Sequence, residues 1–298
     1  MKNLKQWALP TAMIIGALTY PWLSQLAFST PYLISTILVL TFTKMSPKEL
    51  QFSPLHIKLL LIQILGAIAL YFLIAPLNTT VAQGAMLCLL TPTATSAPAV
   101  TKMLGGNVAM LTSYLFLCNI VVAFVAPLLF SLITDNDSSI FISFITILRK
   151  VGSLLVIPLF SIWAIRFLLP KIHSQIAKFS FLSFYLWALA LMIVTANTVN
   201  FFVTEKDGDH TTELLLLLSS LILSILQFQI GRKIGRKSGE TITFGQTLGQ
   251  KNTILGIWMG QTFLNPLSSI AMAGYVVWQN LINSFQIWQK ENRNKTSK

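Results

Sequence analysis

Residues Glu240–Phe263 read ETITFGQTLGQKNTILGIWMGQTF, a run long enough to cross a bilayer but polar where a lipid-facing helix is most apolar. Gly245, Gln246, Thr247, Gly249, Gln250, Lys251, Asn252 and Thr253 fill its middle. At about 1.5 Å of rise per residue, Lys251 stands roughly 17 Å from either end of a regular helical span. A lysine stem cannot carry its ammonium to the interface over that distance. At that depth a lysine costs about 2.5–3.5 kcal/mol on insertion scales, so it has to face protein or water. The expectation is a site at the membrane midplane, on a helix broken there.

The rest of the chain is the setting such a helix needs. It is 54% hydrophobic and 10% charged, with a mean hydropathy of +0.70. Soluble domains carry about 25% charged residues. The apolar residues fall in runs of about twenty, the length that spans a hydrocarbon core of about 30 Å. The fold class is therefore an all-α polytopic membrane protein without a sizeable soluble domain. The net charge of +12 does not imply nucleic acid, because Lys and Arg are scattered through short inter-helix loops, as in loops facing anionic lipid. Cys88 and Cys118 sit inside apolar runs and read as packing residues. No metal or cofactor motif is present. The opening MKNLKQWALPTAMIIGALTYPW is too long an apolar run for a signal peptide, contains Pro10 and Pro21, and reads as the first span.

Ten spans can be drawn: Trp7–Phe28, Pro31–Lys44, His56–Leu77, Val81–Leu104 and Val108–Thr134, then Ile140–Leu169, Phe179–Phe202, Glu213–Ile230, Glu240–Phe263 and Leu267–Trp288. The start of Ile140–Leu169 looks like an interfacial amphipathic helix. With the N-terminus on one side, that side collects most of the cations, including Lys2, Lys5, Lys44, Lys48, Lys58, Lys171, Arg232, Lys233, Arg236 and Lys237. The opposite side receives Arg149, Lys150 and Lys206 with Asp135, Asp137, Glu205, Asp207 and Asp209. Both termini are expected in the cytoplasm and the protein in the cell inner (plasma) membrane.

Two polar breaks occupy matching places, the fourth and ninth spans, if the chain divides into halves 1–134 and 135–298. The first break is TPTATSAP, Thr91–Pro98. Pro98 removes a backbone donor and suits the first position of a new half-helix, with Thr95 and Ser96 near its start. The second is Gly249–Asn252. Interrupted helices at corresponding positions mark an inverted-repeat transporter with its site at the midplane, since unwound backbone is tolerated there only where it lines a cavity. The plainer alternative is a pair of proline and glycine kinks without a ligand.

At these breaks the chain resembles the bile acid:sodium symporter family. The matching residues are Thr91-Pro92, Thr95 and Gly106-Asn107-Val108-Ala109 in the first half, then Glu240, Thr243, Gly249, Asn252 and the run from Tyr275 to Gln279-Asn280. The resemblance implies a panel domain beside a core domain, spans four and nine crossing in the core, and organic anions moved by alternating access. Its members carry steroids, keto acids and vitamin precursors. The departures bear on the coupling ion. Ala97-Pro98 stands where the family has Ser-Asn, and Leu111 and Leu115 fall on hydroxyl-bearing sodium ligands. Thr247 and Lys251 replace the acidic residue and glutamine of the ninth-span motif. Of the side chains that would hold two sodium ions, Gln63 is the one retained. The resemblance thus implies a transporter whose sodium site is lost.

Four placements of Lys251 are open. Its ammonium sits where the second sodium would bind, held by Gln63, Thr247 and carbonyls at the C-terminal end of a half-helix. Or it faces the cavity and pairs with an anionic substrate. Or it cycles a proton and links transport to protons. Or the alignment is off by a turn and it lies near a water-filled crevice. The candidate cavity residues are Lys251, Asn252, Thr247, Gln250, Gln63, Thr95, Ser96 and Pro98, with Asn197 and Asn200 from the seventh span. Asn107, Asn119, Gln227, Gln279 and Asn280 are expected to make inter-helix hydrogen bonds. The leading function is a secondary transporter of a small organic anion in the lipid bilayer, with sodium or proton coupling open. A transport-inactive sensor or binding protein is the alternative. An intramembrane enzyme using Ser96 and Lys251 as a nucleophile pair has no supporting motif.

Overall fold

The computed structural model describes residues 11–134, 139–204 and 210–296. The loop residues Asp135, Asp137, Glu205, Lys206, Asp207 and Asp209, and Lys2, Lys5, Trp7 and Pro10, lie outside the described residues. Among those described, every regular element is helical. Residues 11–18 are helical, and a turn at Tyr20–Leu23 and a 3-10 segment at Ser24–Ser29 lead directly into α1, Thr30–Phe42. The helices that follow are α2 (Pro54–Ile74), α3 (Thr79–Leu90), α4 (Ala97–Leu104), α5 (Val108–Ile133), α6 (Ile140–Leu168) and α7 (Pro170–Lys178). The remainder are α8 (Leu182–Thr204), α9 (His210–Arg236), α10 (Thr241–Gly249), α11 (Thr253–Phe263) and α12 (Ser269–Thr296).

Local chemistry sets several of these ends. Ser53 and His56 form a reciprocal cap on α2, with Pro54 at its first position, where a missing N–H costs nothing. Asn78 Oδ1 accepts the Val81 N–H at 2.9 Å and starts α3. Gly105, at φ 80°, ends α4 in the left-handed conformation, and Lys290 Nζ donates to the carbonyl of Met103, two residues before it, at 3.0 Å.

Among the described residues, six helical runs are long and apolar enough to cross a membrane: Tyr20–Phe42, Pro54–Ile74, Val108–Ile133, Ile140–Leu168, Pro170–Phe201 and His210–Arg236. This is a polytopic membrane protein. The predicted fourth and ninth spans are not among the six because each is split into short helices, and α12 carries Gln279, Asn280, Asn283 and Gln286 in its midst. Three boundaries differ from the sequence reading. The division expected between Trp7–Phe28 and Pro31–Lys44 falls inside one continuous helical run, Tyr20–Phe42. The segment before the predicted seventh span forms the separate exposed helix α7, started by Pro170. The basic residues Arg232, Lys233 and Arg236, expected in a loop, belong to α9, with Lys233 and Arg236 in its last turn, where cations complement the negative helix end.

The chain divides into two compact units, and each draws segments from both predicted halves. One comprises Met1–Ser46, Ala123–His210 and Ile257–Ser269. Within it α8 packs on α1 and on the turns before it, and α1 packs on α6. Arg166 Nη1 donates to the Met45 carbonyl at 3.0 Å. The other unit comprises Pro47–Val122, Thr211–Gly256 and Ile270–Lys298 and holds both breaks. Here α2 packs along α3, and α4 packs on α10. Helix α9 meets α10 through glycines: a methyl at Gly231 would overlap the Phe244 carbonyl, and one at Gly235 the Glu240 carbonyl.

Candidate functional site

The two breaks meet backbone to backbone. Thr93 and Lys251 form an isolated antiparallel bridge, flanked by Ala94 N–H to Gln250 O at 2.9 Å and Asn252 N–H to Pro92 O at 2.8 Å. The two residues are thus a non-hydrogen-bonded antiparallel pair, whose side chains leave on one face. Each then reaches the carbonyl four residues before its partner. Lys251 Nζ donates to Leu89 O at 2.7 Å, and Thr93 Oγ1 donates to Thr247 O at 2.7 Å. The bonds around the crossing are therefore reciprocal, with an ammonium in one break where the other has a hydroxyl.

The Leu89 carbonyl belongs to the last turn of α3, where a helix leaves its final carbonyls without intrahelical partners. Cys88, Leu89 and Leu90 each accept from a side chain elsewhere in the chain. Gln227 Nε2 of α9 donates to Cys88 O at 3.1 Å and Lys251 to Leu89 O. Gln63 Nε2 of α2 donates to Leu90 O at 2.9 Å and Thr91 O at 3.3 Å. Tyr114 Oη in turn donates to Gln63 Oε1 at 2.8 Å, which fixes the amide's orientation. The negative end of a half-helix, equivalent to about half an elementary charge, thus faces an ammonium that is fully buried, at 0% exposure. Burial at that level keeps Lys251 from being a freely exposed cavity group.

The C-terminal end of α10 is capped in the same manner by neutral donors. Thr247 O takes Thr93 Oγ1, and Gly249 O takes Tyr275 Oη at 2.8 Å. The Lys251 N–H donates to Gln279 Oε1 at 2.9 Å, and Gln227 Nε2 also donates to Tyr275 Oη at 3.0 Å. Further along α12, Asn283 Oδ1 and Gln286 Oε1 accept from Gln246 Nε2 at 3.0 and 3.1 Å.

The structure brings eight of the ten sequence-named residues into one unit. Gln63 caps the same helix end as Lys251 instead of binding the ammonium. The Thr247 hydroxyl donates to Thr243 O at 2.7 Å and contributes only its carbonyl to the crossing. Gln250 Nε2 donates to Ser96 Oγ at 3.1 Å. Asn252 Oδ1 accepts from Leu255 N–H at 3.4 Å, within the first turn of α11. Thr95, Ser96, Pro98 and Asn252 are half-buried, and Pro98 is the second residue of α4 rather than the first. Asn197 and Asn200 belong to the other unit. There Asn197 Nδ2 donates to Gln261 Oε1 at 2.8 Å, and the Asn200 carbonyl accepts from Thr204 Oγ1 at 2.8 Å. A Ser96–Lys251 nucleophile pair is not made, since each side chain is committed to another partner. Gln227 and Gln279 make inter-helix bonds, whereas Asn119 and Asn280 donate to carbonyls of their own helices. Ala94, Ala97 and Leu111 form a buried apolar cluster, and of these Ala97 and Leu111 stand where the resemblance would have polar ligands.

Thr93, Tyr275, Tyr114 and Leu89 were not singled out from sequence as site residues. Thr93 lies in a visibly polar run, but its role follows from the antiparallel register of the two breaks, which has no periodic signal.

The model of the SBF-like CPA transporter family matches residues 41–282, and both breaks fall inside the match. The chain belongs to this family. The sequence resemblance pointed to the same group, whose name places the protein among membrane transporters. No curated protein matches the chain. Lys251 is the sole charged residue in the two breaks, 91–96 and 250–252.

Proposed function

We propose that this SBF-like protein is a secondary transporter of a small organic anion, working by alternating access, in which the Lys251 ammonium stands in for a coupling cation. The carrying observation is the Lys251 Nζ–Leu89 O bond at 2.7 Å, which sets a fixed positive charge on the end of a half-helix. This favours the first of the four placements. A second monovalent cation about 4 Å from it would meet about 4 kcal/mol of repulsion at an effective dielectric constant of 20, and the Ala94–Ala97–Leu111 cluster offers no side-chain oxygen to offset it. An anion approaching the half-buried Thr95, Ser96 and Asn252 would gain from the same charge.

The reciprocal bonds of Thr93 and Lys251 support ten spans arranged as two inverted five-helix repeats, 1–134 and 135–298, with the fourth and ninth crossing. The composition of the unit holding both breaks supports its role as a core domain, with the other unit as panel. Loop charge supports cytoplasmic termini in the plasma membrane.

A thermal-shift screen of organic carboxylates, sulfonates and sulfates, with and without sodium, tests the stand-in role. The wild-type protein is expected to respond to an anion and not to sodium, and Lys251→Gln to gain a sodium-dependent shift. Sodium stabilising the wild-type protein would contradict the reading, and binding without flux in vesicles would favour a sensor instead.

A further inference from the structure

We infer that α7 lies in the membrane–water interface and that its basic face, together with Lys44 and Arg166, binds anionic phospholipid headgroups. The inference concerns the unit without the breaks and stands apart from the transport reading.

Length separates the helix from the spans beside it. Helix α8 alone runs 23 residues, enough to cross a hydrocarbon core of about 30 Å. The nine residues of α7 are therefore surplus to that crossing. They are also set off from both neighbours. Leu169, at φ −134° and ψ 61°, ends α6, and the 3-10 segment Phe179–Phe181 stands between α7 and α8. A short helix joined in this way to two spans is held at the membrane surface.

The residues of α7 then sort by face. At about 100° per residue, Leu169, Ile172 and Ile176 fall on one side, and Lys171, Ser174, Gln175 and Lys178 on the other. None of the α7 residues is buried, and Leu169 and Ile172 keep 49% and 44% of their surface exposed. Apolar residues on one face and lysines on the other are the pattern of a helix lying in the headgroup boundary with its apolar side toward the acyl chains.

Charge decides what meets the polar side. The unit comprises residues 1–46, 123–210 and 257–269, and its acidic residues are Asp135, Asp137, Glu205, Asp207 and Asp209. In chain order the first two precede α6 and the other three follow α8, so all five adjoin the ends of those helices remote from α7. At the α7 end, Lys171 and Lys178 are both exposed and stand about 10 Å apart along the helix axis. Arg166, two residues before the end of α6, donates through Nη1 to the Met45 carbonyl at 3.0 Å. That bond brings the exposed Lys44 to the same end. A guanidinium has five N–H donors, so Arg166 keeps others for a phosphate. Four cations gathered where their own unit supplies no carboxylate fit the phosphodiester layer of an anionic membrane surface.

Native mass spectrometry of the full chain tests this, with the protein released from micelles holding equal amounts of phosphatidylglycerol and phosphatidylcholine. Phosphatidylglycerol should be retained in preference, and Lys171→Gln/Lys178→Gln should cut that preference by about five-fold for each cation removed. Arg149→Gln/Lys150→Gln makes the same charge change elsewhere on α6 and should leave the preference unchanged. Added inorganic phosphate should not displace the lipid. Equal retention of the two lipids by the wild-type protein, or equal losses in the two double variants, overturns the inference. Displacement by phosphate overturns it too, in favour of a soluble-anion site. Placement is read separately with nitroxide labels, since the native Cys88 and Cys118 are buried. A label on Ile176→Cys should be relaxed more by oxygen, and one on Gln175→Cys more by a water-soluble nickel chelate. The reverse order, or chelate access at both positions, contradicts the interfacial position of α7.

Discussion

Lys251 and Thr93 do the same job from opposite sides, each closing the carbonyl end of the other break's half-helix. Removing either donor leaves a buried carbonyl unpaired, which costs about 1–3 kcal/mol, and more where the donor is charged. Thr93→Val keeps the shape and loses one neutral bond, so we expect a loss of about 1–2 kcal/mol by that scale. Lys251→Met loses a charge-assisted bond but also relieves the burial of a charge, a cost that can rival the bond. We therefore expect Lys251→Met to fall between unchanged and the Thr93→Val value, despite its stronger bond. Thermal unfolding in detergent checks the order, and a Lys251→Met protein far less stable than Thr93→Val would show that the ammonium's bond outweighs its desolvation. The presence of a midplane lysine was legible from the sequence because a depth argument needs only residue counting. Its partner was not, since Leu89 is an ordinary leucine whose contribution is a backbone oxygen.

At the scale of elements, the breaks were readable from Pro92, Pro98, Gly249 and the polar residues between them, and α3, α4, α10 and α11 fall on either side of them. The fit of α10 against α9 was not. Gly231 and Gly235 lie in a basic turn that reads as loop, yet they let α9 approach the Phe244 and Glu240 carbonyls. Phe228 and Arg232 lie over Gly249 and Gly245 in return, where a methyl would meet the Phe228 ring or the Arg232 stem. Gly231→Leu should force α10 away from α9, with an overpacking cost of about 1–3 kcal/mol. Because α10 leads directly into the break that holds Lys251, the same variant should lose transport, while Gly239→Ala, which meets nothing within 4 Å, should cost less despite its positive φ. Transport and unfolding temperature measured together decide this, and a fully active Gly231→Leu protein would show that the close approach is unimportant. Helix α7 was missed for a different reason: nine residues led by a proline and rich in polar side chains carry too short an apolar pattern to register as helix.

At the scale of the molecule, hydropathy and loop charge gave the class, and the family match over residues 41–282 agrees with it. The two compact units were not legible from chain order, because each is assembled from segments of both halves, and span counting follows the chain while packing does not. What unites the residue and element arguments is that the unit holding the breaks has a fixed cation and apolar packing where a coupling ion would need oxygens. The direct measurement is the initial rate of organic-anion uptake into vesicles containing the wild-type protein, taken in sodium medium and again with potassium replacing sodium at the same membrane potential. Equal rates are predicted. A rate that requires sodium would contradict the claim that Lys251 stands in for the coupling ion.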